Sequence, residues 1–158
     1  GYKINYYKDS VAEGNKIGIS VEKEAEFDSV VSLTDGEKNL RLPEGYKLES
    51  VDPENLTISA NADENVINVL YVKENFGYKV NYYKDSISDE NKLGEMEDEA
   101  EFDSTITLTD DELYQELPEV YQLQDNQTTS LKITANEEEN VINVVYVKRN
   151  DLSYRVDS

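Results

Sequence analysis

The residues of this chain able to do chemistry are tyrosines and carboxylates: 12 Tyr and 35 Asp+Glu in 158 residues, with no Cys, His or Trp. Without thiols there is no disulfide, thiolate metal site or Cys nucleophile. Without imidazole there is no Ser-His-Asp triad and no His-based zinc site. The adjacent pairs Tyr6-Tyr7 and Tyr82-Tyr83 put rings on opposite faces of a strand. Tyr6 and Tyr82 fit a core. Tyr7 and Tyr83 share their faces with Lys3 and Asn5, and with Lys79 and Asn81. An exposed ring beside an amide can stack on a sugar and hydrogen-bond its hydroxyls. Tyr7, Tyr83, Asn5 and Asn81 are therefore the candidate ligand-binding residues. The simpler alternative has the same rings covering a sheet face or a loop.

Acidic runs at Asp9, Asp85, Asp63-Glu64, Asp89-Glu90, Asp110-Asp111-Glu112 and Glu137-Glu138-Glu139 offer oxygen ligands for Ca²⁺. None has the spacing of an EF-hand loop. They read as solvated surface, so no metal, no cofactor and no catalytic residue is assigned. A carboxylate pair for glycoside hydrolysis would need a walled cleft, and the organisation described next leaves little room for one. The chain is expected not to be an enzyme. Its formal net charge of −20 disfavours nucleic acid and anionic membranes. No apolar run is long enough for a membrane helix, no signal peptide is expected ahead of the opening strand, and a monomer is the expectation.

The elements that must position these groups occur twice. Gly1-Tyr-Lys-Ile-Asn-Tyr-Tyr-Lys-Asp-Ser10 returns as Gly77-Tyr-Lys-Val-Asn-Tyr-Tyr-Lys-Asp-Ser86, an offset of 76. From Glu24-Ala-Glu-Phe-Asp-Ser29, which returns as Glu99 to Ser104, the offset is 75. Glu64-Asn-Val-Ile-Asn-Val69 and Glu139-Asn-Val-Ile-Asn-Val144 keep that offset. The expected domains are 1–75, 76–151, and a truncated third copy over 152–158, in which Leu152 occupies the position of Phe76. The expected piece is thus cut from a longer array. The charge divides unevenly: residues 1–76 hold 8 basic and 15 acidic side chains, and residues 77–151 hold 6 and 19.

Within a unit, Tyr2, Ile4 and Tyr6 alternate with polar residues, the period of a half-buried strand. Residues 9–19 read as a loop, and 23–33 as a strand running into a helix start. Thr34-Asp-Gly-Glu37 and Thr109-Asp-Asp-Glu112 have capping-box spacing. A helix of about two turns is expected after each, ended by Pro43 and Pro118. A strand starts at Tyr46. Leu56 to Ala60 and Val66 to Lys73 form an expected hairpin across residues 61–65, with Ile67, Val69 and Tyr71 buried. The class is α+β.

The opening Tyr2, Ile4 and Tyr6, the middle Tyr46 and Leu48, and the closing Val66, Val69, Tyr71 and Val72, with their second-copy counterparts, resemble the mucin-binding-protein (MucBP) repeats, which occur in tandem in surface proteins of Gram-positive bacteria. The resemblance implies two ubiquitin-like β-grasp modules, each with parallel first and last strands and therefore termini at opposite ends. A short linker through Glu74 to Gly77 between such modules implies an elongated rod, with Phe76 packed in the joint. One position departs from the pattern: Gly45-Tyr46 becomes Val120-Tyr121, at a turn where Val tolerates a positive φ poorly. Lys3 with Asn68, and Lys79 with Asn143, would lie on neighbouring strands, the arrangement an isopeptide bond needs, although no buried acid accompanies them. The resemblance implies a non-catalytic stalk or spacer module of a secreted, cell-wall-attached adhesin. The alternative is a domain that itself binds a host glycoprotein or glycan.

Overall fold

The structure is a computed structural model and describes residues 1–150; the expected third copy at 152–158 lies outside the described residues. The chain divides into two compact units, Gly1–Glu74 and a second beginning at Asn75.

In the first unit, β1 (Tyr2–Lys8), β2 (Val21–Lys23), β4 (Tyr46–Asp52) and β6 (Val66–Lys73) form one sheet in the order β2-β1-β6-β4. The central pair β1 and β6 is parallel, with Ile4 beside Ile67 and Tyr6 beside Val69; β2 and β4 flank it antiparallel. A small second sheet pairs β3 (Val30–Val31) with β5 (Leu56–Thr57). One helical turn, α1 (Asp35–Lys38), completes the unit.

The second unit repeats this with β7 (Asn75–Lys84), β8 (Lys92–Glu101), β10 (Tyr121–Leu123) and β12 (Val141–Lys148) in the order β10-β12-β7-β8. Its small sheet is β9 (Thr105–Thr107) with β11 (Ser130–Lys132), and its helical turn is α2 (Asp110–Leu113). Each unit is strand-rich, with open sheets and very short helical segments. None of the described helices is long and apolar enough to cross a membrane.

The alternating residues behave as their spacing requires. Ile4, Tyr6, Ile67, Val69 and Tyr71 are fully buried in one core, and Val80, Tyr82, Val144 and Tyr146 in the other. Both capping boxes form: Thr34 Oγ1 accepts from the Glu37 N–H at 3.1 Å while Glu37 Oε1 accepts from the Thr34 N–H at 2.8 Å. The helices, however, have a single turn.

Three expectations are corrected. The hairpin over 56–73 does not form: β5 turns away to β3, and residues 62–64 make a 3-10 turn between β5 and β6. The expected strand over 23–33 is broken in the first unit, with β2 ending at Lys23 and β3 starting at Val30. Phe76 is not a linker residue. It lies inside β7 opposite Ala100, so only Glu74 stands between β6 and β7.

Val120 keeps the backbone that glycine had made easy. Gly45 sits at φ 81° and Val120 at φ 60°, both left-handed. A β-branched side chain is strained there.

Candidate functional site

The most elaborate side-chain arrangement in each unit joins the sheet to its helical turn. Tyr6 of β1 and Tyr71 of β6 stack with ring centroids 6.2 Å apart and planes 14° from parallel. Their hydroxyls donate to successive carbonyls at the end of α1, Tyr6 to Glu37 O at 2.6 Å and Tyr71 to Lys38 O at 2.7 Å. The last carbonyls of a helix have no partner within it, and these phenols supply one. Tyr82 and Tyr146 do the same for Glu112 O and Leu113 O at 2.6 and 2.7 Å, stacked at 6.3 Å and 12°. The Tyr71 and Tyr146 hydroxyls also accept, from the Arg41 and Glu116 N–H groups.

Burial raises the pKa of all four phenols, Tyr82 to about 12, with Tyr146 and the Glu112 and Glu116 carboxylates adding to the Tyr82 shift. They therefore stay protonated at neutral pH and keep donating to the carbonyls at the helix end. Glu37 is held below the usual carboxylate range, first by the Thr34 N–H and then by Lys23, 3.0 Å away.

A second repeated device uses a buried amide. Asn65 Oδ1 accepts from the Ser59 N–H at 2.9 Å, and its Nδ2 donates to Gly1 O and Ser59 O. Asn140 repeats this with the Thr134 N–H, Gly77 O and Thr134 O. Each ties the strand opening its unit to the 3-10 turn before the last strand. As Asn in a polar turn, both had read as loop residues; only their recurrence at one offset marks them.

Of the candidate ligand residues, Tyr7 and Tyr83 are corrected to buried: they are 8% and 7% exposed. Alternation had turned Tyr7 outward, but that face is covered. The segment after β1 folds back beside it, with Lys16 bridging Tyr7 and Ile17 N–H donating to Tyr6 O at 2.7 Å. Neither ring is available to stack on a sugar. Asn5 and Asn81 face their sheet partners, donating to Asn68 Oδ1 at 3.3 Å and Asn143 Oδ1 at 3.2 Å. That register places Lys3 opposite Val66, not Asn68. Ser20 donates to Asn5 Oδ1 and accepts from Lys16, whereas Asn81 Oδ1 is buried without a hydrogen-bond partner.

The exposed surfaces of the units differ. In the second, Lys79, Asn81, Glu97, Asp98, Glu99, Glu137 and Glu138 line an open groove of about 740 Å³. Among the described residues no three acidic side chains converge as a metal site would require.

No family model matches this chain, and no curated protein matches it. Solved structures similar over nearly all of it include the following. Mub-RV is 11% identical, covering 93% of this chain and 97% of that one, with a TM-score of 0.34. Domains 3–4 of the Streptococcal High Identity Repeats in Tandem (SHIRT) from a cell surface protein are 12% identical, covering 94% and 98%, with a TM-score of 0.36. The type 2 repeat of the mucus binding protein MUB from Lactobacillus reuteri is 8% identical, covering 93% and 98%, with a TM-score of 0.34. The structures this chain is similar to are thus repeat domains of MUB and of a streptococcal cell surface protein.

Proposed function

We propose that this chain is a non-catalytic repeat module of an extracellular bacterial surface protein, two β-grasp units acting as a spacer that presents a binding region elsewhere in the protein. The observation that carries the reading is what the duplication keeps. The residues that build the unit recur: Tyr6 and Tyr82, Tyr71 and Tyr146, Asn65 and Asn140, and both capping boxes. Among the exposed positions several do not: Lys23 is replaced by Asp98, Asn39 by Tyr114 and Ala62 by Glu137. A ligand site used by both units would keep its contact residues in both, because function lives in sites and not in folds. The parallel central pair flanked by antiparallel strands supports the β-grasp assignment.

One surface favours a second reading, direct glycan binding by the second unit alone. Tyr114 is 48% exposed and lines an open groove of about 460 Å³ with Leu117, Tyr121, Gln122 and Asp125. A ring beside polar groups suits a sugar. A glycan array and immobilised mucin, probed with the whole chain at physiological salt, separate the two. The spacer reading expects no saturable binding. Saturable binding that Tyr114→Ala removes, without lowering the melting temperature, would replace it with the second reading.

A further inference from the structure

Phe27 and Phe102 hold the same place in the two units, at an offset of 75, but their surroundings differ. Phe102 is half-buried, edge-on to Phe76 with centroids 6.1 Å apart, and Phe76 in turn packs on the second core. Phe27 is 71% exposed. The neighbouring backbone differs in step with the rings. β8 runs to Glu101 because Asn75, Phe76 and Gly77 pair with Glu101, Ala100 and Glu99. β2 pairs with β1 only through Lys23, opposite Tyr2. Glu24, Ala25 and Glu26, the counterparts of Glu99, Ala100 and Glu101, are outside any strand. A large ring left mostly in water beside unextended backbone is a surface suited to strand addition.

We propose that Phe27 is the seat of an aromatic side chain carried by the residue directly ahead of Gly1 in a longer chain, on a segment that adds antiparallel to residues 24–26. Applied to the first unit, the β7–β8 register sets that residue opposite Ala25 and its ring against Phe27. The segment between units is then part of the following unit's fold: its aromatic residue lengthens the pairing of that unit's first two strands at one end. The inference does not depend on whether the chain binds a ligand, and it fixes the chemistry of the occupant as an aromatic residue in an extended segment.

The test adds Glu-Asn-Phe, the order of residues 74–76, ahead of Gly1 of the whole chain, with Glu-Asn-Ala as its partner variant and both repeated in F27A. Phe27 is exposed, so F27A leaves the fold intact. With Glu-Asn-Phe, hydrogen exchange over residues 24–27 should slow by about tenfold or more. The first unit should melt roughly 2–8 °C higher than with Glu-Asn-Ala, and F27A should erase that difference. Equal exchange and melting for the Phe and Ala extensions would overturn the proposal. So would self-association of the unextended chain that F27A abolishes, because the occupant would then be a second copy.

Discussion

Val120 holds φ 60° at the turn before β10, in the left-handed region that Gly45 occupies at φ 81° before β4. Its side chain is 55% exposed, so little packing offsets the strain. Val120→Gly relieves it, against the larger unfolded-state entropy of glycine. The expected net gain is about 1 kcal/mol, or roughly 4–8 °C in the melting of the second unit. Gly45→Val should lower the first unit by a similar amount. Calorimetry of the two variants checks both signs.

Asn140 should be far less replaceable than its neighbour Asn136. Asn140→Ala leaves the Thr134 N–H, Thr134 O and Gly77 O without their buried partner. At about 1–3 kcal/mol for a buried polar group left unsatisfied, a loss of about 3 kcal/mol is expected. Asn136 only caps an exposed 3-10 turn through Glu138 N–H, so Asn136→Ala should cost about 1 kcal/mol or less. Urea denaturation of the two variants should rank them in that order.

The buried phenols set an alkaline limit. The folded-state pKa of Tyr82 is raised from 10.0 to about 12 by burial. Between those values the folded chain holds a proton that the unfolded chain releases, so stability falls as pH rises. The contribution is complete below pH 10 and lost as pH rises through about 12. Tyr82→Phe should be less stable at neutral pH and should show a shallower decline across this window. Melting temperatures from pH 8 upward compare the slopes.

How much was legible in the sequence depends on how local each interaction is. Thr34 and Glu37 are three residues apart and meet within one turn, so their spacing sufficed. The burial of Ile67, Val69 and Tyr71 followed from alternation along one strand. The pairing of β5 with β3 did not, because it joins residues far apart in the chain, Val30 with Thr57 and Val31 with Leu56. Tyr7 was misplaced for a related reason: alternation names a strand's two faces but not what folds over the second. Phe76 read as a linker because it precedes the strongly repeated block, whereas its place is decided by Ala100 and Phe102. The departure at Val120 was legible as one substitution at a repeated turn, but that the turn would keep its left-handed backbone was not. The Tyr6–Tyr71 pair was visible only as two core residues; that their hydroxyls would meet the helix end required the fold.

The recurring core tyrosines, buried amides and capping boxes are expected to make each unit a self-supporting scaffold. Units of this size without disulfides or metal lie close to the limit of independent stability. Fragments 1–74 and 75–150, produced separately, test the claim most directly by thermal and urea unfolding with tyrosine near-UV circular dichroism. Each fragment is expected to unfold in a single cooperative transition. A fragment with no near-UV signal and no cooperative transition would contradict it.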